Sequence, residues 1–439
     1  MNYMKKIKKI MKTFWWRVKS FWAVYYYDNP SKKLKIIGIT GTNGKTTTAT
    51  LLYKVVRSLG FKAGIIGTVE ILINDEKLIL KGKVPSTTPD SVSLTKVLAK
   101  MVKAGCEYVF MEVSSHALDQ GRVKWVHFAG GIFTNLTHDH LDYHSSFENY
   151  FLAKKKFFNM LPAKAFSLSN FDDGRGAMML EGTKARPYFY GFVDRENLLG
   201  GISSAKQNNF FAGQINKLDF SGLELVLDGD DVKAKLLGKF NAYNLLAVWS
   251  TIKLLDFDIE KVKKILEDIE PPAGRFEYFI SDTGIVVIVD YAHTPDALVN
   301  VLTTAQEFNT SGGRIISVFG CGGDRDISKR KVMGKLGVTH SDLTIFTSDN
   351  PRREPPDKII AEMQIDLSKE DLNKVKVVVE RREAILESVK LAKKGDIILC
   401  AGKGHETYQE IKGVKYPFND MEEYKKIFNK VGSAQEFTV

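Results

Sequence analysis

The chain is poor in the features that mark secreted and membrane-spanning proteins. Its 439 residues include only three cysteines, Cys106, Cys321 and Cys400, which are far apart and odd in number. They favour neither a disulfide framework nor a zinc site, so we expect a reducing, cytoplasmic environment. No run of 18 apolar residues occurs, which argues against a membrane-spanning helix. Internal repeats and low-complexity tracts are also missing.

Acidic residues are the scarcer charged class. The chain has 63 basic and 52 acidic residues, which gives a formal net charge of +11. This balance suits phosphate-rich ligands. It would also suit nucleic acid, but no RNA- or DNA-binding motif is visible, so we expect no nucleic-acid partner. The composition, 44% hydrophobic and 26% charged, is that of a globular protein, and the length predicts two or three domains.

Part of the positive charge lies in residues 1–27, where apolar residues recur at helical spacing. The stripe consists of Met4, Ile7, Met11, Phe14, Val18, Phe21 and Tyr25, and lysines and tryptophans surround it. Arg17 and Lys19 interrupt any apolar core and no small-residue cleavage site follows, which argues against a signal peptide. Two hypotheses stand for this segment. It is an interfacial membrane helix, or it packs on its own protein or on a partner.

The stretch from Ile36 to Thr47 carries the strongest local signal. An apolar, β-branched run reads as a buried strand, the chain then turns through Gly41 and Gly44, and a helix begins near Lys45. Strand, glycine loop and helix form the context of a phosphate-binding loop. Lys45 would neutralise the phosphates and the Thr46 hydroxyl would ligate Mg²⁺. Only two residues separate the glycines, unlike a strict Walker A motif, and an ordinary glycine turn with a solvated lysine is the alternative.

Strands and helices alternate along most of the chain, which predicts an α/β fold. We expect a central P-loop-type ATPase domain with a mostly parallel sheet and a C-terminal Rossmann-like α/β domain. The boundary signal is Pro271-Pro272-Ala273-Gly274. The predicted division is therefore an amino-terminal basic segment 1–33, a central domain 34–272 and a C-terminal domain 273–439. The strands expected after the boundary are Ile285–Val289, Ile315–Phe319, Leu343–Thr347, Lys376–Val379 and Ile397–Ala401.

Polar residues follow two of the predicted central strands. Glu112 ends one strand, and ligands bind at the carboxyl ends of strands in such sheets, so Glu112 is placed to reach the Mg²⁺ of a nucleotide. A second strand is followed by His138, His140 and His144. Three histidines so close together resemble a zinc site, but cysteine partners are lacking. A Mg²⁺ role for one histidine beside Glu112 is the preferred interpretation.

Together these segments resemble the Mur ligases, the ATP-dependent amino-acid ligases of peptidoglycan precursor synthesis. The resemblance runs from about residue 34 to about residue 425 and is nearest to the type that makes the UDP-N-acetylmuramoyl tripeptide. The motifs that carry it occur in the family's order: GTNGKT, STTPD, EVSSHALDQGRV, TNLTHDHLDYH, GKFNAYN, DYAHTPDAL, GCGGDRD, DNPR and GKGHE.

The resemblance implies a role for each matched position. For catalysis and Mg²⁺ binding it implies Lys45, Thr46, Glu112, His140 and Lys154, the last as the lysine that CO₂ converts to N6-carboxylysine. For ATP it implies Gly41, Thr42, Asn43, Gly44, Lys45, Thr46, Thr47, Asn241, Asn244, Arg275 and His293. For the muramoyl-peptide substrate it implies Thr87, Thr88, Ser114, Gln120 and Arg122. For the incoming amino acid it implies Arg325, Asp349, Asn350, Arg352, Gly402 and Glu406.

The DNPR motif resembles the signature of enzymes that add meso-diaminopimelate. Arg352 would supply a bidentate fork for the distal carboxylate of that substrate, whereas L-lysine has no second carboxylate. The implied reaction joins meso-diaminopimelate to UDP-N-acetylmuramoyl-L-alanyl-D-glutamate through an acyl phosphate. Relatives carry a UDP-binding domain of about a hundred residues where this sequence has 33 residues before the first strand.

Three alternatives accompany this interpretation. The first is a folylpolyglutamate synthase-like ligase, against which DNPR and GKGHE argue. The second is an L-lysine-adding variant. The third is a membrane-tethered nucleotide-binding scaffold without catalysis, against which Lys45, Glu112, His140 and Lys154 argue. We expect a cytoplasmic enzyme, with a peripheral membrane or protein contact through residues 1–27.

Overall fold

The computed structural model describes residues 19–80, 87–137, 139–192, 209–309 and 312–435, and they form two sheets with helices on their faces. The strands of the first sheet are β1 (Lys35–Thr40), β2 (Ala63–Ile66), β3 (Ile71–Ile73), β4 (Glu76–Lys77), β5 (Tyr108–Glu112), β6 (Phe128–Phe133), β7 (Phe166–Asn170), β8 (Arg186–Gly191), β9 (Phe210–Asp219), β10 (Gly222–Leu227) and β11 (Asp230–Ala234). The accompanying helices are Lys45–Ser58, Ser91–Lys103, Ser115–Asp119, Leu141–His144, Phe147–Asn159, Gly176–Met179, Lys239–Leu254 and Ile259–Glu267.

The first sheet has a parallel centre and antiparallel ends. Its strand order is β11-β10-β9-β8-β7-β6-β1-β5-β2-β3-β4, and the six pairings between β2 and β9 are parallel. The central strands are buried almost throughout because helices cover both faces, as is usual for parallel sheets. One apolar cluster lies under Lys45–Ser58 and Lys239–Leu254, and the other under Ser91–Lys103 and Phe147–Asn159.

The second sheet restarts the alternation after residue 274. Its strands are β12 (Glu277–Ile280), β13 (Val286–Asp290), β14 (Ile315–Phe319), β15 (Leu343–Phe346), β16 (Val375–Val377) and β17 (Ile397–Ala401), in the order β12-β13-β17-β14-β15-β16. Only β12 is antiparallel to its neighbour among them. The helices are Pro295–Phe308, Ser328–Thr339, Pro356–Met363, Lys369–Leu372, Arg381–Leu391 and Asp420–Gln435, and β18 (Tyr408–Ile411) and β19 (Val414–Pro417) form a separate hairpin.

The predicted fold class is confirmed, with differences at the ends of elements. The sequence also predicts strands over residues 130–136 and 63–69; the structure has the first at Phe128–Phe133 and ends the second at Ile66. In both cases a threonine after the strand, Thr68 or Thr134, makes a hydrogen bond outside the strand ladder, to the Glu112 side chain or to Asn43 O. The hydrogen-bonded strand therefore ends earlier than the apolar run suggests. The domain boundaries near residues 33 and 272 stay predictions.

The two halves touch directly through side chains that are far apart in sequence. Asn43 donates from Nδ2 to Asp296 Oδ2 at 2.8 Å, and Thr137 Oγ1 donates to the same oxygen at 3.1 Å. Tyr278 donates its hydroxyl to Phe220 O at 3.1 Å. These contacts hold the phosphate-loop side of the first sheet against the second.

The amino-terminal part of the chain is described from residue 19 onward. Residues 19–26 are helical, and a 3₁₀ turn follows at Pro30–Lys33. The sequence Asp28-Asn29-Pro30-Ser31 predicts the end of the helix at this point. Most of the predicted apolar stripe of residues 1–27 lies outside the described residues. Within the described segments, we find no helix whose length and apolar character would let it cross a bilayer.

Candidate active site

The loop between β1 and the helix Lys45–Ser58 has the backbone of a phosphate cradle. Gly41 and Gly44 both have positive φ, at 155° and 83°. A Cβ on Gly41 would lie 1.9 Å from Thr134 Oγ1, and a Cβ on Gly44 would lie 2.5 Å from Asn244 Oδ1. Side chains are therefore excluded at both positions, and the loop packs tightly against its neighbours. Asn244, expected beside the adenine, lies against this loop.

Lys45 folds back over its own loop. Its Nζ donates to Gly41 O at 3.0 Å and to Thr42 O at 2.6 Å. Removal from water lowers the pKa of Lys45, although the negative charges of Glu112 and Asp139 oppose that shift. The Lys45 amine therefore lies among both negatively and positively charged side chains. A phosphate that bound here would compete with the two carbonyl groups for the hydrogen bonds that the amine donates.

Glu112 is a fully buried carboxylate at the carboxyl end of β5. Oε1 accepts hydrogen bonds from Thr46 Oγ1 at 2.9 Å and from the Thr68 backbone N–H at 2.8 Å. Oε2 accepts from Thr68 Oγ1 at 3.0 Å. A Cβ on Gly67 would lie 2.6 Å from Oε1, so the glycine leaves room for this carboxylate. The structure thus places the predicted metal ligands Glu112 and Thr46 in direct contact.

Lys154 is buried under the phosphate loop, with 1% of its surface exposed. Its Nζ donates to Gly41 O at 2.7 Å and lies 4.5 Å from the centre of the Tyr150 ring. Burial, reinforced by the positive charge of Lys45, lowers the pKa of Lys154 far below its ordinary value. A neutral amine is the form that reacts with CO₂, so this environment suits the carbamylation that the resemblance implies.

Asp139 and His140 lie on the other side of the same cluster. His140 has a backbone φ of 55°, and its Nε2 is 3.3 Å from Asp139 Oδ2. Partial removal from water lowers the pKa of His140, and the charges of Lys45 and Lys154 act in the same direction. The imidazole is therefore neutral near pH 7 and has a lone pair available for a metal ion.

The donor set fits Mg²⁺ better than zinc. Carboxylate and hydroxyl oxygens are the ligands that Mg²⁺ prefers, and it commonly keeps waters and substrate phosphates as its other ligands. Where the chain is described, no three His, Cys, Asp or Glu side chains gather into a metal cage. His144 is buried and pairs through Nε2 with Ser115 Oγ at 3.0 Å, and His138 lies outside the described residues. Glu112, Thr46 and His140 would hold the ion together with ATP.

The five residues expected to contact the muramoyl peptide form one hydrogen-bonded group. Thr88 is fully buried and donates from Oγ1 to Glu112 O at 2.9 Å and to Ser114 Oγ at 3.3 Å. Arg122 donates to Thr88 O at 2.7 Å and holds Gln120 Oε1 with two N–H groups. Thr87 accepts from Thr68 Oγ1 at 3.0 Å, which links the group to Glu112.

Arg275 brings the second half of the chain to the phosphate loop. It donates from Nη2 to Thr46 Oγ1 at 3.3 Å and lies 4.6 Å from the centre of the Tyr291 ring. His293 bonds through Nδ1 to Tyr291 O at 2.8 Å, so it is held by the same tyrosine. Asn241 is buried, donates to Leu237 O at 2.8 Å and accepts from Asn244 Nδ2 at 3.0 Å. The structure thus groups Arg275 and His293 with the loop.

The residues expected to bind the amino acid gather at the carboxyl ends of β14, β15 and β17. A Cβ on Gly322 would lie 2.9 Å from Arg352 Nη1 and 3.6 Å from Arg325 Cγ, so both arginines border this glycine. Arg352, at φ 52°, donates to Gly323 O at 2.7 Å. Asn350 donates to Glu406 Oε2 at 2.7 Å. A Cβ on Gly402 would lie 2.7 Å from Asp349 Oδ2, which completes the pocket.

Sequence reasoning missed Lys403 at the base of this pocket. Lys403 is fully buried and donates to Glu406 Oε2 at 2.8 Å, to Tyr408 O at 2.6 Å and to Asn350 Oδ1 at 3.2 Å. It therefore fixes two of the expected amino-acid contacts at once. Its place inside GKGHE is the signal that could have found it. Asp296, which holds Asn43, was missed in the same way inside DYAHTPDAL.

Comparison with known proteins agrees with this geometry over both halves of the chain. The Mur ligase middle domain matches residues 39–252, and the Mur ligase glutamate ligase domain matches residues 274–404. A UDP-N-acetylmuramoyl-L-alanyl-D-glutamate–2,6-diaminopimelate ligase of Cytophaga hutchinsonii is 50% identical over 410 residues, covering 93% of this chain and 81% of that protein. A protein of the same name from Aquifex aeolicus is 42% identical over 407 residues, covering 93% and 80%.

Solved structures show the same fold. A UDP-N-acetylmuramoyl-L-alanyl-D-glutamate–2,6-diaminopimelate ligase structure superposes with a TM-score of 0.60 at 32% identity, covering 91% of this chain and 79% of that one. A folylpolyglutamate synthase of Thermotoga maritima superposes with a TM-score of 0.64 at 14% identity, covering 92% and 94%. At that identity the second likeness concerns the fold alone.

Proposed function

The chain belongs to the Mur ligase family, and from that premise we propose that it joins 2,6-diaminopimelate to UDP-N-acetylmuramoyl-L-alanyl-D-glutamate with the energy of ATP. It is an ATP-dependent ligase that forms an amide bond, and relatives at 47–50% identity are named UDP-N-acetylmuramoyl-L-alanyl-D-glutamate–2,6-diaminopimelate ligase. The observation that carries the proposal is the pairing of a phosphate-loop cluster on one sheet with a carboxylate-and-arginine pocket on the other.

The first half-reaction belongs to the phosphate loop. The terminal carboxylate of the D-glutamyl group attacks the γ-phosphorus of ATP, the bond to the β,γ-bridging oxygen breaks, and ADP leaves. Lys45 and Arg275 border Thr46 and are placed to neutralise the charge that spreads over the phosphoryl oxygens. Mg²⁺, held by Thr46, Glu112 and His140, would supply further positive charge when bound.

The second half-reaction needs an amine beside the acyl phosphate. The neutral amine of the diamino acid attacks the acyl carbon, a tetrahedral intermediate collapses, phosphate leaves with the bonding electrons, and the proton lost by the nitrogen passes to the departing phosphate. No side chain has to act as a nucleophile, so the contribution of the protein is positioning and charge neutralisation. Thr88, Gln120 and Arg122 would orient the muramoyl peptide for this attack.

The pocket of the second sheet would select the amine. Arg352 and Arg325 would bind the distal carboxylate, which supports diaminopimelate over L-lysine. Glu406 would bind an ammonium group through the oxygen Oε1, while Lys403 and Asn350 hold Oε2. Lys403 is thus a positioning residue, because it acts on the substrate through Glu406.

Lys154 would carry the carbamate. Reaction of its neutral Nζ with CO₂ forms a C–N bond, releases one proton and leaves an anionic group beside the loop. Such an anion could hold a second Mg²⁺ and would offset the charges of Lys45 and Arg275. The burial of Lys154 and its lowered pKa support this role.

We place the enzyme in the cytoplasm, where ATP is available. All three cysteines are buried and free, which fits a reducing compartment. Residues 1–27 would add a peripheral contact with a membrane or with a protein, as the sequence predicts. That contact concerns where the enzyme works, and the chemistry does not depend on it.

The decisive experiment is a ligation assay on the full chain with a panel of carriers and amines. ADP release should require the UDP-linked dipeptide and diaminopimelate together, with L-lysine a poor replacement. Turnover of a folate with glutamate would instead support the folylpolyglutamate synthase alternative. ATP binding without ADP release under every pairing would support the inactive scaffold.

A further inference from the structure

The helix of residues 19–26 exposes four aromatic side chains along one face. Phe21, Trp22, Tyr25 and Tyr26 are 51%, 61%, 69% and 79% exposed. At 100° per residue these four positions span an arc of about 140°. The opposite face carries Ser20, Ala23, Val24 and Tyr27, which are buried or half-buried. The predicted stripe residues Phe21 and Tyr25 thus lie on the more exposed face of the helix, and the choice between a membrane contact and packing on a protein stays a prediction.

The orientation of this helix is fixed by contacts just after it. Ser31 accepts the His127 backbone N–H at 3.2 Å and donates to Trp125 O at 3.5 Å. Phe21 meets the edge of the Trp125 ring with centroids 5.6 Å apart, and Lys124 Nζ lies 5.2 Å from that ring. Trp125 and Lys124 thus extend the aromatic face into one surface, which we call the aromatic-basic surface: residues 19–26 with 124 and 125.

We propose that the aromatic-basic surface docks the enzyme on an anionic lipid bilayer. Tryptophan and tyrosine favour the interface of a bilayer, where their rings meet the acyl region and their polar atoms meet the headgroups. Four of the six largely exposed aromatic side chains of the described residues lie on this one short helix. Such a concentration is unusual for a surface that faces only water.

Charge supports an anionic partner. Ten basic residues and one acidic residue occur among the first 35 residues, so this stretch carries +9 of the net charge of +11. Lys19, Lys32 and Lys124 are exposed beside the aromatic side chains. Each basic residue near an anionic membrane strengthens binding by about 1 kcal/mol, or roughly fivefold. Pairing two copies through this surface would instead bring like charges together.

The surface adjoins the expected carrier side of the active site. Trp125 follows Arg122 by three residues in the sequence. The guanidinium of Arg122 donates to Thr88 O and Gln120 Oε1, and its backbone carbonyl accepts a hydrogen bond from Ser91 Oγ. Docking at 19–26 and 124–125 would therefore place the muramoyl-peptide contacts close to the membrane. This inference does not depend on the identity of the ligase substrates.

The test is co-sedimentation of the full chain with phosphatidylcholine vesicles and with vesicles that also contain phosphatidylglycerol, at low and high salt. We expect binding to the anionic vesicles only, with a marked loss at high salt because the charges are screened. The double variant Trp22→Ser, Tyr25→Ser should weaken binding on the order of tenfold, since apolar insertion is lost. Tyr416→Ser, which alters a half-exposed tyrosine of the β18–β19 hairpin, is the control and should bind as the wild type does.

Two results would overturn the proposal. One is equal sedimentation of the wild type with neutral and anionic vesicles, or with neither. The other is concentration-dependent self-association in analytical ultracentrifugation that the double variant abolishes, which would make a second copy the occupant. Because the substituted side chains are exposed, circular dichroism and ADP release should be unchanged in the double variant, and this checks that its fold is intact.

Discussion

Replacing Lys154 by methionine tests whether the buried amine is there for chemistry or for packing. Methionine has a similar length and keeps the contacts of the aliphatic stem, so no large cavity should form. The lost hydrogen bond to Gly41 O matters little, because Lys45 Nζ also donates to that carbonyl. We therefore expect stability to be retained and ligation to fall on the order of 10²–10³-fold, which is typical of removing one charge-stabilising group from an active site.

The pKa of Lys154 sharpens the stability side of this prediction. The fold lowers the pKa of this amine far below its ordinary value, whereas the unfolded chain binds a proton on it until the pH passes about 10.4. Below that pH the unfolded state binds more protons, so the wild type gains stability as the pH rises toward 10. Lys154→Met removes this gain. Near pH 7 its free energy of unfolding should equal or exceed that of the wild type in CO₂-free buffer.

The assays are steady-state ADP release, urea unfolding and ¹³C NMR after equilibration with labelled bicarbonate. The wild type should show one carbamate resonance that Lys154→Met lacks. Lys156→Met is the control, since Lys156 is exposed and pairs with Asp119 at 3.0 Å, a contact worth about 0–1 kcal/mol at a surface. Near-wild-type turnover in Lys154→Met, or a carbamate resonance that persists in it, would refute the reasoning.

Three further predictions concern the second sheet. Lys403→Met should raise the KM for diaminopimelate at least tenfold with little change in the KM for ATP, because charge-assisted contacts of about 1.5–3 kcal/mol position Glu406. The control is Arg314→Met, which breaks the remote ion pair with Asp396 and should lower stability only. Arg352→Ala should cost about 2–5 kcal/mol in diaminopimelate use, and equal use of L-lysine by the wild type would contradict the pocket. Burial raises the pKa of Asp290 to about 6. The folded protein therefore binds this proton more tightly than the unfolded chain does, and the contribution of Asp290 to the free energy of unfolding falls as the pH rises from about 4 to 6. The stability difference between Asp290→Asn and wild type, from urea unfolding at pH 4 and 7, should change by up to about 3 kcal/mol, and a constant difference would contradict the assignment.

Local sequence was sufficient to predict the elements that organise the site. The run before Gly41 is β-branched and apolar, so it predicts a buried strand, and Gly41 and Gly44 predict the turn. Both glycines adopt positive φ in the structure. Glu112 ends an apolar run, and it lies at the carboxyl end of β5 as expected. These predictions succeeded because each depends on a few neighbouring residues.

Other features depend on contacts that no local pattern encodes. Arg275 reaches Thr46 across 229 positions of sequence, and Asn43 reaches Asp296 across 253. The role of Lys403 emerges only when the turn after β17 is folded beneath Asn350, 53 positions earlier. The orientation of residues 19–26 was also not predictable, because an amphipathic pattern gives a helix two faces without saying which one meets the protein.

The phosphate loop is the point at which both halves of the chain act together. Thr134 and Asn135 of the first half hold the Asn43 backbone through its carbonyl and N–H groups, while Asp296 of the second half holds its side chain. Arg275 adds a second link between the two halves, because it donates to Thr46, and Thr46 in turn contacts Glu112. A shift of the second half would therefore move the partners of the loop and the amino-acid pocket at once. We therefore expect binding of ATP and positioning of the amine to be coupled, because the same half of the chain contacts the phosphate loop and carries the amino-acid pocket.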